Sequence, residues 1–301
     1  MAERKDPIPT LGGKSQLINT LTEIFNYCIE EYALIGACDY FMGGNRLFLH
    51  LDNNQVRFKL ANEIDRGMVA FFRCLQDSYQ TDQLIEMIWR LADQINTEEK
   101  FKKACELRLL EGTDLVLAGA LTYIVTKYSR AANRQFFCKT NAECGIDTAS
   151  LDKFIGLDEV IGDVQIICGD YKEQFHKYKH REDFLIWLDP PYLITEDNKM
   201  GKRGNKKTAN KTKVTAGYVS PFTLEDHELM VNNLLAPDMK NKVILSGYQN
   251  DVYKRLEQKG FHPYFAGMVH VSSSGTGKKI AEYIWCNFEV PDWLLPVPDP
   301  E

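Results

Sequence analysis

The chain has 301 residues and a mass of 34.6 kDa, with 44% hydrophobic and 26% charged residues, 20 glycines and 11 prolines, a composition that excludes disordered, collagen-like and fibrous classes. A formal net charge of -6 argues against bulk attraction to nucleic acid, which relies on Lys and Arg. The longest apolar runs, such as 33–38 and 184–188, fall well short of the roughly 20 residues a membrane helix needs. Residues 1–10 mix Glu3, Arg4, Lys5 and Asp6 with two prolines and hold no signal-peptide core, so the expected location is the cytoplasm.

In chain order, Leu17, Ile18, Leu21, Ile24, Phe25 and Cys28 follow helical spacing and predict a helix over 14–32. A short apolar run, 32–37, then enters a glycine turn at Gly43 and Gly44 and a helix over 46–51, the opening of a βαβ unit. A second strand is expected over 56–61, closed by Asn62 and Glu63, with a helix over 65–76 after it. From 77 to 156 strand patterns vanish and helical ones take over, for example Leu84, Ile85, Ile88, Leu91 and Ile95. That region ends in a stretch, 127–137, where Arg130 and Arg134 alternate with aromatics. Strands return at 164–168, 184–188, 242–245 and 279–288. The expected architecture is an α/β chain: a discontinuous Rossmann-like domain, 1–76 and 157–301, interrupted by a mainly helical domain, 77–156.

Eight cysteines occur, and none forms the two-residue spacing of a zinc knuckle or redox motif, so no metal is expected. Lys199, Lys202, Arg203, Lys206, Lys207, Lys211 and Lys213 make a local basic segment that runs against the acidic total.

Chemistry concentrates at strand ends, where open α/β sheets bind ligands. An apolar strand, 184–188, delivers Asp189, after which Pro190 and Pro191 fix the chain and Tyr192 offers a ring. Acceptor oxygens beside a flat partner suit the exocyclic amino group of a nucleobase; an ordinary turn after an edge strand is the plainer alternative. Phe41, Gly43 and Gly44 follow the first strand, Glu63 follows the second at a spacing suited to ribose hydroxyls, and Asp170 with Tyr171 follows the third. Two phosphate-loop lookalikes fail: Gly13-Lys14-Ser15 has Ile8 where glycine is required, and Gly277-Lys278-Lys279 has Ser272 there and no hydroxyl residue after the first lysine. ATP hydrolysis is therefore a distant reading.

Asp189-Pro190-Pro191-Tyr192, with Gly12-Gly13-Lys14, Phe41-Met42-Gly43-Gly44 and Glu63-Ile64-Asp65 ahead of it in that order, resembles the adenine-N6 DNA methyltransferases, in the branch of the DNA adenine methylases. The likeness covers about 7–76 and 160–288, motif by motif. It implies S-adenosylmethionine as cofactor: Gly12, Gly13 and Lys14 against its methionine end, Asp39, Phe41 and Gly43 beside it, Glu63 on the ribose, Asp170 and Tyr171 at its adenine, and Asp189 close to both reactants. It also implies that Asp189 and the Pro190 carbonyl accept from the target amino group while Tyr192 stacks on the flipped adenine. The implied partner is double-stranded DNA, met by Arg130, Arg134, Lys202, Arg203, Tyr218 and Phe222, and a cognate restriction endonuclease stays open as a second partner. Asn45 stands where the family commonly has a second spaced glycine, which points to a wider turn or a shifted cofactor. Cytosine-N4 methylation on the same fold and a non-catalytic DNA-binding relative remain alternatives, with Asp rather than Ser at 189 favouring adenine.

Overall fold

A computed structural model describes residues 6–10, 17–51, 54–193, 222–270 and 279–296. The chain opens with α1 (Ile18–Glu31), β1 (Gly36–Asp39), α2 (Arg46–His50), β2 (Phe58–Glu63) and α3 (Arg66–Cys74). Helices follow: α4 (Ser78–Ala92), α5 (Glu98–Leu107), α6 (Leu115–Lys127), α7 (Lys139–Cys144), α8 (Thr148–Leu151) and α9 (Asp158–Ile161). The alternation then resumes with β3 (Gln165–Cys168), α10 (Tyr171–Tyr178), β4 (Phe184–Leu188), α11 (Leu224–Leu234), β5 (Lys242–Gly247), α12 (Asp251–Glu257), β6 (His262–His270) and β7 (Lys279–Cys286).

These strands form a seven-stranded sheet in the order β3-β2-β1-β4-β5-β7-β6. The first five run parallel, and β7 enters antiparallel between β5 and β6. Chain order runs outward from β1 to β3 on one side and from β4 to β5 on the other, so the direction of winding switches between β1 and β4. A crevice opens at the carboxyl ends of the strands at such a switch. Asp39 closes β1 and Asp189 follows β4, on either side of it.

The central strands β1 and β4 are buried at every position, and β4 is apolar throughout, because helices cover both sheet faces. On one face Ala37, Leu185, Ile244 and Ile284 join a core with α1, α3 and α6. Their neighbours Cys38, Ile186, Val243 and Trp285 point the other way, to Phe175, Met230 and Tyr253 of α10, α11 and α12. This is the period-two alternation of a strand read out by two helical layers. Residues 77–156 are helical as expected, and Phe71 of α3 stacks on Tyr123 of α6 at 5.8 Å and meets Phe154 at 5.3 Å. The buried side chains of this segment thus belong to the same cluster as one sheet face.

Strand β6 escaped the sequence patterns. His262-Pro263 reads as a breaker, and a bulge between Phe265 and Gly267 interrupts the alternation. Pro263 is tolerated because β6 is the edge of the sheet.

Candidate active site

The crevice at the switch point is a cavity of about 260 Å³, lined among others by Asp39, Phe41, Gly43, Glu63, Tyr171 and Asp189. They arrive from the ends of four strands, β1 to β4, or from the segments just after them, which is why residues up to 150 positions apart share one wall.

The turn after β1 is built around Glu63. Its Oε2 accepts from the Gly43 amide at 2.9 Å and its Oε1 from the Asp65 amide at 3.0 Å, so a β2 carboxylate stitches the β1 turn to the start of α3. Gly43 adopts φ +47, a left-handed conformation in which a Cβ is disfavoured. Asn45 takes the same region, with φ 53 and ψ 31, at the N-cap of α2. Asparagine, the residue after glycine most tolerant of that conformation, holds a glycine-like backbone here. Its buried amide has no hydrogen-bond partner among the described residues.

Three acids meet here. Asp39 is 1% exposed and its Oδ1 accepts from the Phe41 amide at 3.1 Å. Burial first, then the Asp189 and Glu63 charges, push its carboxyl well above the usual range. Burial and the Asp65 charge raise Glu63 likewise, against the amides of Asp65 and Gly43 and the Arg134 guanidinium. A site whose acids repel one another favours a cation.

The same cavity carries an aromatic wall. Phe41 lies 4.9 Å from Tyr171 and 5.4 Å edge-on from Phe222, ring centre to ring centre. Tyr171 Oη is buried without a partner among the described residues. Behind the wall, the His227 ring of α11 meets Phe222 at 4.6 Å, and its Nδ1 is 2.9 Å from Tyr253 Oη. Burial pushes this imidazole down to about 4, against opposing pulls from the Pro191 backbone and Asp226. Acids, aromatic rings and a glycine turn lining one cavity fit a ligand that joins a cationic centre to a planar heterocycle.

The positions singled out from sequence distribute as follows. Asp39, Phe41, Gly43, Glu63, Asp170, Tyr171 and Asp189 all line the cavity. Asp170 is exposed, caps α10 through the Lys172 amide at 3.0 Å and pairs with Lys172 Nζ at 3.5 Å. Pro190 is buried, and Pro191 lines the cavity. The Tyr192 hydroxyl donates to Glu282 Oε1 at 2.8 Å, and its ring lies edge-on against Tyr248 at 4.6 Å. Phe222, expected on the DNA side, stands in the aromatic wall. Arg130 is exposed at the end of the helical segment, whereas the Arg134 side chain turns inward, 3.5 Å from Asp65 Oδ2, and also lines the cavity. Gly12, Gly13, Lys14, Lys202, Arg203 and Tyr218 lie outside the described residues.

Sequence reading missed the ion cluster behind the turn. Asp65 Oδ1 accepts from the amides of Gly67 and Met68 and from Arg108 Nη1 at 2.6 Å. Burial alone would raise this carboxyl, but Arg108 and Arg134 more than offset that and hold it low. Arg108 carried no signal, because a lone arginine in an amphipathic helix reads as surface. Ser246 and Glu282, described below, were missed as well. Among the described residues no group of three or more acids, histidines or cysteines could hold a metal ion, and no helix is long and apolar enough to cross a membrane.

A family model for D12 class N6 adenine-specific DNA methyltransferases matches residues 11–261. A curated relative, the type II methyltransferase M.FokI of Planomicrobium okeanokoites, is 24% identical over 211 residues, which cover 67% of this chain and 31% of that protein. The chain therefore spans about a third of the relative it matches. The family match takes in both the Asp39 turn and the Asp189 strand end, and the chain belongs to the D12 class N6 adenine-specific DNA methyltransferases.

Proposed function

We propose that this protein transfers a methyl group from S-adenosylmethionine to the N6 amino group of an adenine flipped out of double-stranded DNA. The observation that carries the reading is Asp189 at the end of β4, inside the same cavity as Asp39, Glu63 and the Phe41 wall. An amino acceptor and a cation site therefore share one space.

When bound, S-adenosylmethionine supplies an electrophilic methyl on a sulfonium. Asp39 and Glu63 would hold the cationic and ribose portions, Gly43 would let the backbone come close, and Phe41, Tyr171 and Phe222 would cover the purine. Gly12, Gly13 and Lys14 are assigned to the methionine end by family likeness. Asp189 and the Pro190 carbonyl accept from the amino group of the target. That matters because the amino lone pair is delocalised into the ring until acceptors draw its N–H groups toward tetrahedral geometry. The target nitrogen would gain the methyl as the sulfonium C–S bond breaks to leave a neutral thioether, and the surplus amino proton would pass toward Asp189 and on to solvent; positioning and electrostatics carry the catalysis. Tyr192 supplies a stacking face that offsets part of the few kcal/mol spent on unstacking the base.

Arg130, exposed beyond α6, with Lys202, Arg203 and Tyr218, would follow the DNA; Arg134 would reach it only by leaving Asp65. The two-domain division, 1–76 with 157–301 against 77–156, belongs to this reading, with the helical part as the recognition unit. A restriction endonuclease sharing the target sequence is a compatible partner, in keeping with the type II assignment of the relative.

The mechanism is tested by Asp189→Ala. Its methyl transfer is expected to fall about 100-fold or more, with binding of S-adenosylmethionine retained within roughly tenfold. Full activity in that variant would remove the amino-acceptor role.

A further inference from the structure

Strand β7 carries a buried acid that the reading above does not use. Glu282 is 2% exposed. A carboxylate held in the interior needs polar partners. The Tyr192 hydroxyl donates to its Oε1 at 2.8 Å, and the Ser246 hydroxyl donates to the same oxygen at 3.0 Å. Ser246 Oγ also lies 3.4 Å from Asp189 Oδ1 and 3.2 Å from Tyr192 Oη. The sheet brings this about: β7 runs antiparallel to β5 with Ile284 opposite Ser246, so Glu282, two residues earlier, is the diagonal neighbour of Ser246 on the same face.

We propose that Glu282 is a positioning residue for methyl transfer: by gathering the hydroxyls of Tyr192 and Ser246 onto one oxygen, it sets where the Tyr192 ring and the Asp189 carboxylate stand. The inference rests on the methyl-transfer reading. Ser246 has one proton and two carboxylates within reach. The shorter distance commits that proton to Glu282 and keeps it from being spent on Asp189, whose oxygens are needed by the amino group of the target. Tyr192 follows two prolines, which leave little backbone freedom, and the tether on its hydroxyl fixes the remaining rotation of the ring. Glu282 is not among the residues lining the cavity, so it acts on the site through the side chains it holds, Tyr192 and Ser246.

The test compares the full-length wild type with Glu282→Ala, Glu282→Gln, Tyr192→Phe and the Ala/Phe double variant. Methylation of unmodified genomic DNA is followed with labelled S-adenosylmethionine, and binding of the donor is measured separately by calorimetry. Glu282→Ala is expected to lower kcat roughly thirtyfold or more, since two hydrogen bonds to one buried carboxyl oxygen are lost. Its Kd for the donor and KM for DNA should stay within roughly threefold of wild type. Glutamine keeps an acceptor oxygen and should restore most of the rate. The double variant should be no slower than the slower single variant, because both changes cut one brace.

Wild-type turnover in both Glu282→Ala and Tyr192→Phe would overturn the proposal, as would a Gln variant as damaged as the Ala one. If the Ala variant does not fold, Tyr192→Phe decides: a lowered kcat with an unchanged donor Kd supports the brace, and a wild-type rate overturns it. A wild type that transfers no label overturns the methyl-transfer reading itself, a failure distinct from that of the brace, which shows only against an active wild type.

Discussion

Asp39 and Asn45 both look unfavourable in the unliganded protein, for different reasons. Asp39 is buried beside two other acids, so its folded-state carboxyl titrates above its unfolded value. A group with a raised folded pKa destabilises the fold at pH values above it, and the cost disappears as pH falls through it. Asp39→Asn keeps an oxygen for the Phe41 amide and removes the charge. Its melting temperature is expected to exceed that of wild type at pH 7 and to converge with it at pH 4, while affinity for S-adenosylmethionine falls. A lower melting temperature at pH 7 would show that the charge is satisfied within the fold. Asn45 is held in place by its left-handed backbone. Asn45→Gly should keep stability within about 0.5 kcal/mol, whereas Asn45→Ala should lose roughly 1–2 kcal/mol, which denaturant unfolding resolves. At this scale the strand-end residues were legible, because Asp39, Glu63, Tyr171 and Asp189 each lie within three residues of the end of an apolar run. Glu282 and Ser246 were not, since their partnership depends on the register of two strands. Nor was the inward turn of Arg134, which requires knowing where Asp65 sits.

Among the elements, α11 bears most directly on the site, because His227 backs the aromatic wall through Phe222. Its imidazole titrates near 4 when folded against an ordinary 6.5. A lowered folded pKa means that the neutral ring stabilises the fold fully above about 6.5, and that this contribution drains away as pH falls toward 4, by up to about 3 kcal/mol. Thermal unfolding across that window should show a shallower decline in His227→Gln than in wild type, and parallel curves would contradict the assignment. At α3, Gly67 lets two helices meet: a Cβ there would stand 2.1 Å from Thr122 Oγ1 of α6 and 2.6 Å from Arg108 Nη1. Gly67→Ala is expected to destabilise by about 1–3 kcal/mol and to weaken donor binding through the Asp65 turn, read by melting and calorimetry together. Parallel strands were easy to read because their apolar runs are short and continuous. The edge strand β6, with its proline and bulge, followed no simple period.

The whole molecule is organised by one topological event, the reversal of winding between β1 and β4, which gathers the acids, the glycine turn and the aromatic wall at the carboxyl ends of the sheet. That strands and helices would alternate around a helical interruption was legible from periodicity alone. That the interruption shares its core with the sheet was not, because Phe71, Tyr123 and Phe154 carry no mark of which helix they will meet. With an overall charge of -6, the proposed function would leave DNA attraction to local charge such as Arg130 and the lysines between 199 and 213. The most direct test of the central claim is chemical identification of the product. The purified protein is incubated with S-adenosylmethionine labelled in its methyl group and unmodified genomic DNA, and the DNA is digested to nucleosides. Label in N6-methyladenine is the expected result; label in N4-methylcytosine, or none despite measured binding of S-adenosylmethionine, would contradict it.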